Sequence, residues 1–150
     1  MKAKLLEYRT LLESFLSADY KLFPFIESPP EYKALLLRHD IDFDLQLARD
    51  MGELENRLGV QSTYFFMLRS PSYNLLERNS AQLVSEIRDQ GHHISLHFDP
   101  TNYDDFHEGL GFEIDIFHRI FGLSPECITL HRPTEFFLQY DAPIGNIRHT

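Results

Sequence analysis

Apolar residues recur at helical spacing near the start of the chain. Leu5, Tyr8, Leu12 and Phe15 share one face, so residues 2–17 are expected to form an amphipathic helix. The stretch "FPFIESPPEY" then breaks any helix with three prolines and reads as loop. "ALLLRH", from Ala34, is too short and too apolar for a surface helix and fits a strand buried on both faces. Leu47, Met51, Leu54 and Leu58 form the next helical stripe, stopped by Gly59. "STYFFML" is a second strand, rich in β-branched and aromatic residues. Residues 75–90 predict a helix with Leu76, Leu83, Val84 and Ile87 inward, ended by Gly91. "HISLHF" is a third strand. Residues 103–121 carry Phe106, Leu110, Ile114, Phe117 and Phe121 on one helical face, closed by Gly122. "CITLHRP" supplies a fourth strand, ended by Pro133.

The order is β-α-β-α-β-α-β behind a leading helix. Buried strands alternating with helices imply an α/β fold with a parallel sheet and right-handed crossovers, open or curled into a barrel. No repeat, low-complexity segment or linker divides the chain. A single domain over residues 1–150 is therefore expected, with an N-terminal helix over 1–17 and a β/α core over 34–135.

Composition narrows the function. Hydrophobic residues make up 43%, which suits a folded domain rather than a disordered one. The formal charge of −9, with 14 basic residues scattered among 23 acids, argues against a nucleic-acid partner. No apolar run is long enough to span a membrane, and the N-terminus does not resemble a signal peptide, so a cytoplasmic address is the default. One cysteine, Cys127, excludes an internal disulfide and a thiolate metal cluster.

Polar residues gather where the strands end: "RHDID" after the first, "HFD" on the third and "HRP" on the fourth. In parallel α/β folds that end of the sheet is where ligands bind. Asp40 and Asp42 lie two apart and point to one side in extended chain, and His97 and Asp99 repeat the spacing. Carboxylates and imidazoles converging from neighbouring strands suit a divalent metal. Each residue alone has a plainer reading. Asp44 caps the following helix, with Asp42 as a second candidate for that role. His92 and His93 sit at the surface or on a helix terminus, and His107 and His118 are solvated. Phe65, Phe66 and Met67 are core, and Arg132 is a structural ion-pair partner for a buried aspartate.

"LRHDID", "GHHISLHFD" and "HRP" occur in the order and spacing of the first three motifs of the polysaccharide deacetylases, the NodB-homology carbohydrate esterases. The likeness spans about residues 34 to 135 and is greatest to the branch whose first motif is Asp-x-Asp. It implies an irregular β/α barrel that removes an acetyl group from an N-acetylated sugar of a polysaccharide or its precursor, with a divalent metal, zinc first. By resemblance, Asp40 is the general base and Asp42 a metal ligand, although these two could exchange. His97 is the first metal histidine, and Arg132 pairs with the base. The family's second metal histidine falls at Thr101, so the third ligand is expected from His131, with Asp99 next. The family's later motifs, including its acid histidine, have no counterpart in these 150 residues, so the barrel is expected to be incomplete. His39, His93 or His131 would then have to stand in as the acid. Four parallel strands cannot close, so Val60–Phe66 or Cys127–His131 is expected to leave an open edge that invites homo-oligomerisation. A phosphoesterase-like metallohydrolase and an inactive fragment are the alternatives.

Overall fold

The strands run in chain order across one sheet, and every neighbouring pair is parallel. The computed structural model describes residues 2–26, 32–133, 135, 139 and 148–149. Its elements are α1 (Lys2–Ser17), β1 (Lys21–Pro24), β2 (Ala34–Ile41), α2 (Leu45–Arg57), β3 (Thr63–Phe66), α3 (Arg78–Asp89), β4 (His93–Phe98), α4 (Phe106–Phe121), β5 (Cys127–Leu130) and β6 (Arg148–His149). A short 3-10 turn, Pro100–Asn102, leads from β4 towards α4. With the strands in unbroken order, α2, α3 and α4 pack their buried side chains into one cluster on one face of the sheet, as in a β/α barrel. No helix among the described residues is long and apolar enough to cross a membrane.

Two strands lie beyond the four expected. The chain around Pro24 is not all loop, because Lys21–Pro24 pairs with Ala34–Leu37. The proline is tolerated as the last residue of a strand with one described neighbour. At the other end, β6 pairs with Cys127 and Ile128. Neither Val60–Phe66 nor Cys127–His131 therefore ends the sheet: β3 lies between β2 and β4, and β5 between β4 and β6.

Alternation along the strands divides the side chains. Ile41, Tyr64, Phe66, Ile94, Leu96, Phe98, Ile128 and Leu130 join Leu45, Ala48, Val84, Ile87, Leu110 and Phe117 in one buried cluster between sheet and helices. The opposite face receives Arg38, Asp40, Thr63, Phe65, Ser95, His97, Cys127 and Thr129, in the order set by the parallel register. Helix ends follow the expected chemistry. The Asp44 carboxylate accepts from the Leu47 amide at 2.9 Å. Gly122 closes α4 at φ 72°, a backbone geometry that disfavours a Cβ.

The stripe expected on α2 is shifted. Leu45, Ala48, Gly52 and Glu55 are its buried positions, so a glutamate occupies the inward row. Glu55 is fully enclosed and satisfied: Tyr8 and His39 contact Oε1, the latter at 2.7 Å. Ser62 and Tyr64 donate to Oε2 at 2.6 and 2.8 Å. Burial pushes the Glu55 carboxyl up, but the hydrogen bond and charge of His39, with Ser62 and Tyr8, outweigh it and hold the group below its ordinary value. His92, expected at the surface, is buried, its Nε2 2.9 Å from the Gly52 carbonyl. The network ties α1, α2, β2 and β3 together through one carboxylate.

A second buried carboxylate is less well served. Glu113 on α4 accepts from the Tyr103 hydroxyl at 2.7 Å, while its Oε2 has no hydrogen-bond partner. Burial pushes it up to about 7 against the opposing hydrogen bond of Tyr103. The Tyr103 ring stacks on Phe98 at 5.7 Å and lies against Gly109 so closely that any Cβ there would overlap it.

Two measurements of stability test these networks. Glu55→Ala leaves Tyr8, His39, Ser62 and Tyr64 facing a void, and urea denaturation should show a loss of about 3–5 kcal/mol. Glu113 has a raised pKa when folded, so its contribution is present below about pH 4.5 and lost as pH rises through about 7. Glu113→Gln should therefore raise the unfolding midpoint at pH 8 and give no gain at pH 5. Equal effects at both values would show that Glu113 does not titrate in the folded chain.

Candidate metal centre

Three strand ends converge on the polar face of the sheet. Asp42 follows β2 and keeps the facing of Asp40, His97 is the fifth residue of β4, and His131 follows β5 directly. The register places His97 opposite Thr129. The end of β2 is tied down from the β3–α3 connection: the Tyr73 hydroxyl donates to the Ile41 carbonyl at 2.6 Å and the Ser70 hydroxyl to the Asp42 carbonyl at 3.1 Å. The His131 amide donates to the Phe98 carbonyl at 2.7 Å, extending the β4–β5 pairing to the site.

Asp42 Oδ1, His97 Nε2 and His131 Nδ1 form a small triangle. Both nitrogens lie 3.3 Å from the carboxylate oxygen and 3.1 Å from each other. Two ligands bound about 2.0–2.1 Å from a tetrahedral ion stand about 3.3 Å apart, so the triangle has the size of a three-residue face on such an ion. Among the described residues this is the one group of three such side chains with donor atoms that close.

Apart from the contact between the two imidazole nitrogens, hydrogen bonding leaves these atoms bare. Thr129 Oγ1 donates its single proton to Asp40 Oδ1 at 3.2 Å, so it must accept from His97 Nδ1 at 2.7 Å. That fixes the His97 tautomer with an unprotonated Nε2 aimed at Asp42. Burial holds the His97 imidazole below its ordinary value, keeping it neutral. Asp42 Oδ1 is buried with no hydrogen-bond partner. Three electron-pair donors thus face one point with at most one proton between them when both histidines are neutral. A divalent cation satisfies all three, and the donor set fits zinc or a similar ion.

Asp40 stands one pleat behind Asp42. Its Oδ2 accepts from Arg38 Nη2 at 2.7 Å, its Oδ1 from Thr129. The guanidinium on the expected base is therefore that of Arg38 and not of Arg132. Arg38 is two residues away on the same strand face, whereas Arg132 turns out of β5 at φ 49°. Arg132 instead donates to Asp99 Oδ2 at 2.9 Å, with its own side chain 66% exposed. Asp99, the alternative third ligand, is taken up elsewhere, since its Oδ1 also accepts from the amide and hydroxyl of Thr101. His39, considered as an acid, faces the helices and holds Glu55.

Thr129 and Arg38 were not among the expected site residues. Both carry a usable signal: each lies on the polar face, Thr129 two residues before His131 and Arg38 two before Asp40.

No protein-family model matches the chain, and no curated protein matches it. Among solved structures it is similar to IcaB from Ammonifex degensii, with a TM-score of 0.63 over 93% of this chain and 69% of that one, at 13% identity. The likeness is one of fold.

Metal titration checks the triangle. The chain should bind one equivalent of zinc, and Asp42→Asn, His97→Ala and His131→Ala should each abolish binding in calorimetry. Thr129→Val frees the His97 ring, and the loss of an outer hydrogen bond of this kind should weaken zinc by about 10–100-fold. Unchanged affinity in Thr129→Val would show that the tautomer is set by something else.

Proposed function

We propose that the protein is a metal-dependent hydrolase of the deacetylase type, removing an acyl group from the nitrogen of an amino sugar in a polysaccharide or its precursor. The observation that carries the reading is the bare triangle of Asp42, His97 and His131 with a salt-bridged carboxylate, Asp40, behind it. The order of the three motifs supports the same chemistry, and the likeness to IcaB supports the fold that holds them.

Asp42, His97 and His131 would hold the ion. A divalent ion bound there supplies a Lewis acid for the amide carbonyl and a water of lowered pKa. The remaining work falls to the protein. Asp40 accepts the proton of the attacking water, and two donors, Arg38 and Thr129, hold its carboxylate in place. Thr129 passes that orientation on to His97. Tyr73 and Ser70 hold the end of β2 so that Asp42 keeps its place. The proton later delivered to the leaving amine can return from Asp40 through the same position, as microscopic reversibility allows. Such donors could also serve phosphoester cleavage.

Zinc-loaded protein should release acetate from N-acetylated amino-sugar oligomers. Asp40→Asn should lower kcat by about 10²–10⁴-fold while zinc binding persists. Phosphate release from aryl phosphates without acetate release would move the reading to a phosphoesterase. A zinc-loaded chain that turns over neither class would be a metal-binding domain without catalysis.

A further inference from the structure

Beside the triangle, on the same end of the sheet, lies an open cleft of about 520 Å³. That volume falls within the roughly 300–1,000 Å³ of small-molecule sites. Arg69, Ser70, Asn74, Asp99, Asn102 and Arg132 contribute to its lining. The cleft adjoins the candidate metal centre through the chain itself: Arg132 follows His131, Asp99 lies two residues past His97, and Ser70 bonds the Asp42 carbonyl.

Its charge runs against that of the chain. The formal net charge is −9, yet two arginines line this one cleft. The carboxylate in the lining is already occupied. Asp99 is 2% exposed, and its oxygens accept from Thr101 and from one arm of Arg132. The Arg132 side chain stays 66% exposed while bonded to Asp99. Arg69 is exposed, with its guanidinium carbon 5.2 Å from the centre of the Tyr103 ring; it donates a bond of 3.3 Å to the Asn102 carbonyl and also bonds the Tyr103 hydroxyl. Among the described residues no carboxylate forms an ion pair with Arg69; the buried Glu113 behind Tyr103 feels its charge at longer range. Arginines held on an aromatic face and on a buried aspartate lose little freedom when they grip a planar or tetrahedral anion.

We propose that this cleft binds an anionic group, a carboxylate or a phosphate, carried by the sugar substrate. The inference rests on the hydrolase reading for the word substrate, but the anion site itself stands on Arg69 and Arg132. It selects acidic amino sugars or sugar phosphates over neutral ones, with the anion in the cleft and the acyl group turned towards Asp42, His97 and His131.

The test is calorimetry on the whole chain after metal is stripped on a chelating resin, so that no bound cation and no soluble chelator contributes. The probes are glucuronate, glucose 1-phosphate and, as neutral control, glucose. At least one anionic probe should bind, more weakly as salt rises, and glucose should not; the tighter of the two anions tells carboxylate from phosphate. Arg69→Gln, which leaves no buried carboxylate unpaired, should weaken that probe by about ten-fold or more, with zinc affinity unchanged. Should that variant not fold, Arg132→Lys keeps a charge beside Asp99, loses the fork and should weaken the same probe. Absence of binding by both anions, equal binding of glucose, or a folded variant that binds as the wild type overturns the proposal. Asp42→Asn should lose zinc and keep the anion, so failure of the hydrolase reading and failure of the anion site give different results.

Discussion

The in-register parallel sheet is the constraint on which the other features depend. Once Asp40 is opposite Phe65 and Ser95, and His97 opposite Thr129, the facing of every strand side chain is decided. One face must be apolar because helices lie on it. The other is free to carry charge and hydroxyls at the strand ends. Shifting β2 or β4 by one residue would bury Asp40 or His97 among the helices and bring Ile41 or Phe98 to the site. Register here is therefore enforced by the core and sets the geometry of the candidate site.

The helix-facing layer is not purely apolar, and Glu55 explains how it tolerates charge. Its two oxygens are satisfied by side chains from α1, β2 and β3 and by Ser62, just before β3, so a carboxylate sits within the fold without an orphan lone pair. The network also assigns His39 a structural duty. That separates it from His97 and His131, which share its residue type and strand-end position but point to the other face.

Much of this was legible because period and punctuation agreed. "HISLHF" is a strand over His93–Phe98 as its composition requires, and the glycines after α3 and α4 stop those helices. Two kinds of residue misled. Glu55 in the inward row of α2 reads as solvent-facing, since its partners are distant in sequence, from Tyr8 to Tyr64. Pro24 reads as a strand breaker, although a terminal position costs it nothing. At the site, the likeness of the motifs named Asp42 and His97, and strand-end position added His131 to the set. Ion pairing was not legible in the same way, because one turned residue sends Arg132 to Asp99 and leaves Asp40 to its strand neighbour Arg38.

The contact of Tyr103 with Gly109 bears on how a ligand is received. The ring leaves no room for even a methyl group on the helix, stacks on Phe98 and carries Arg69 over it. The backing of Arg69, behind the cleft wall, therefore has little slack in which to rearrange. Recognition on this side would then resemble a fixed mould more than a closing hand: a ligand of the wrong shape meets a steric refusal, and one of the right shape pays little ordering entropy to the wall.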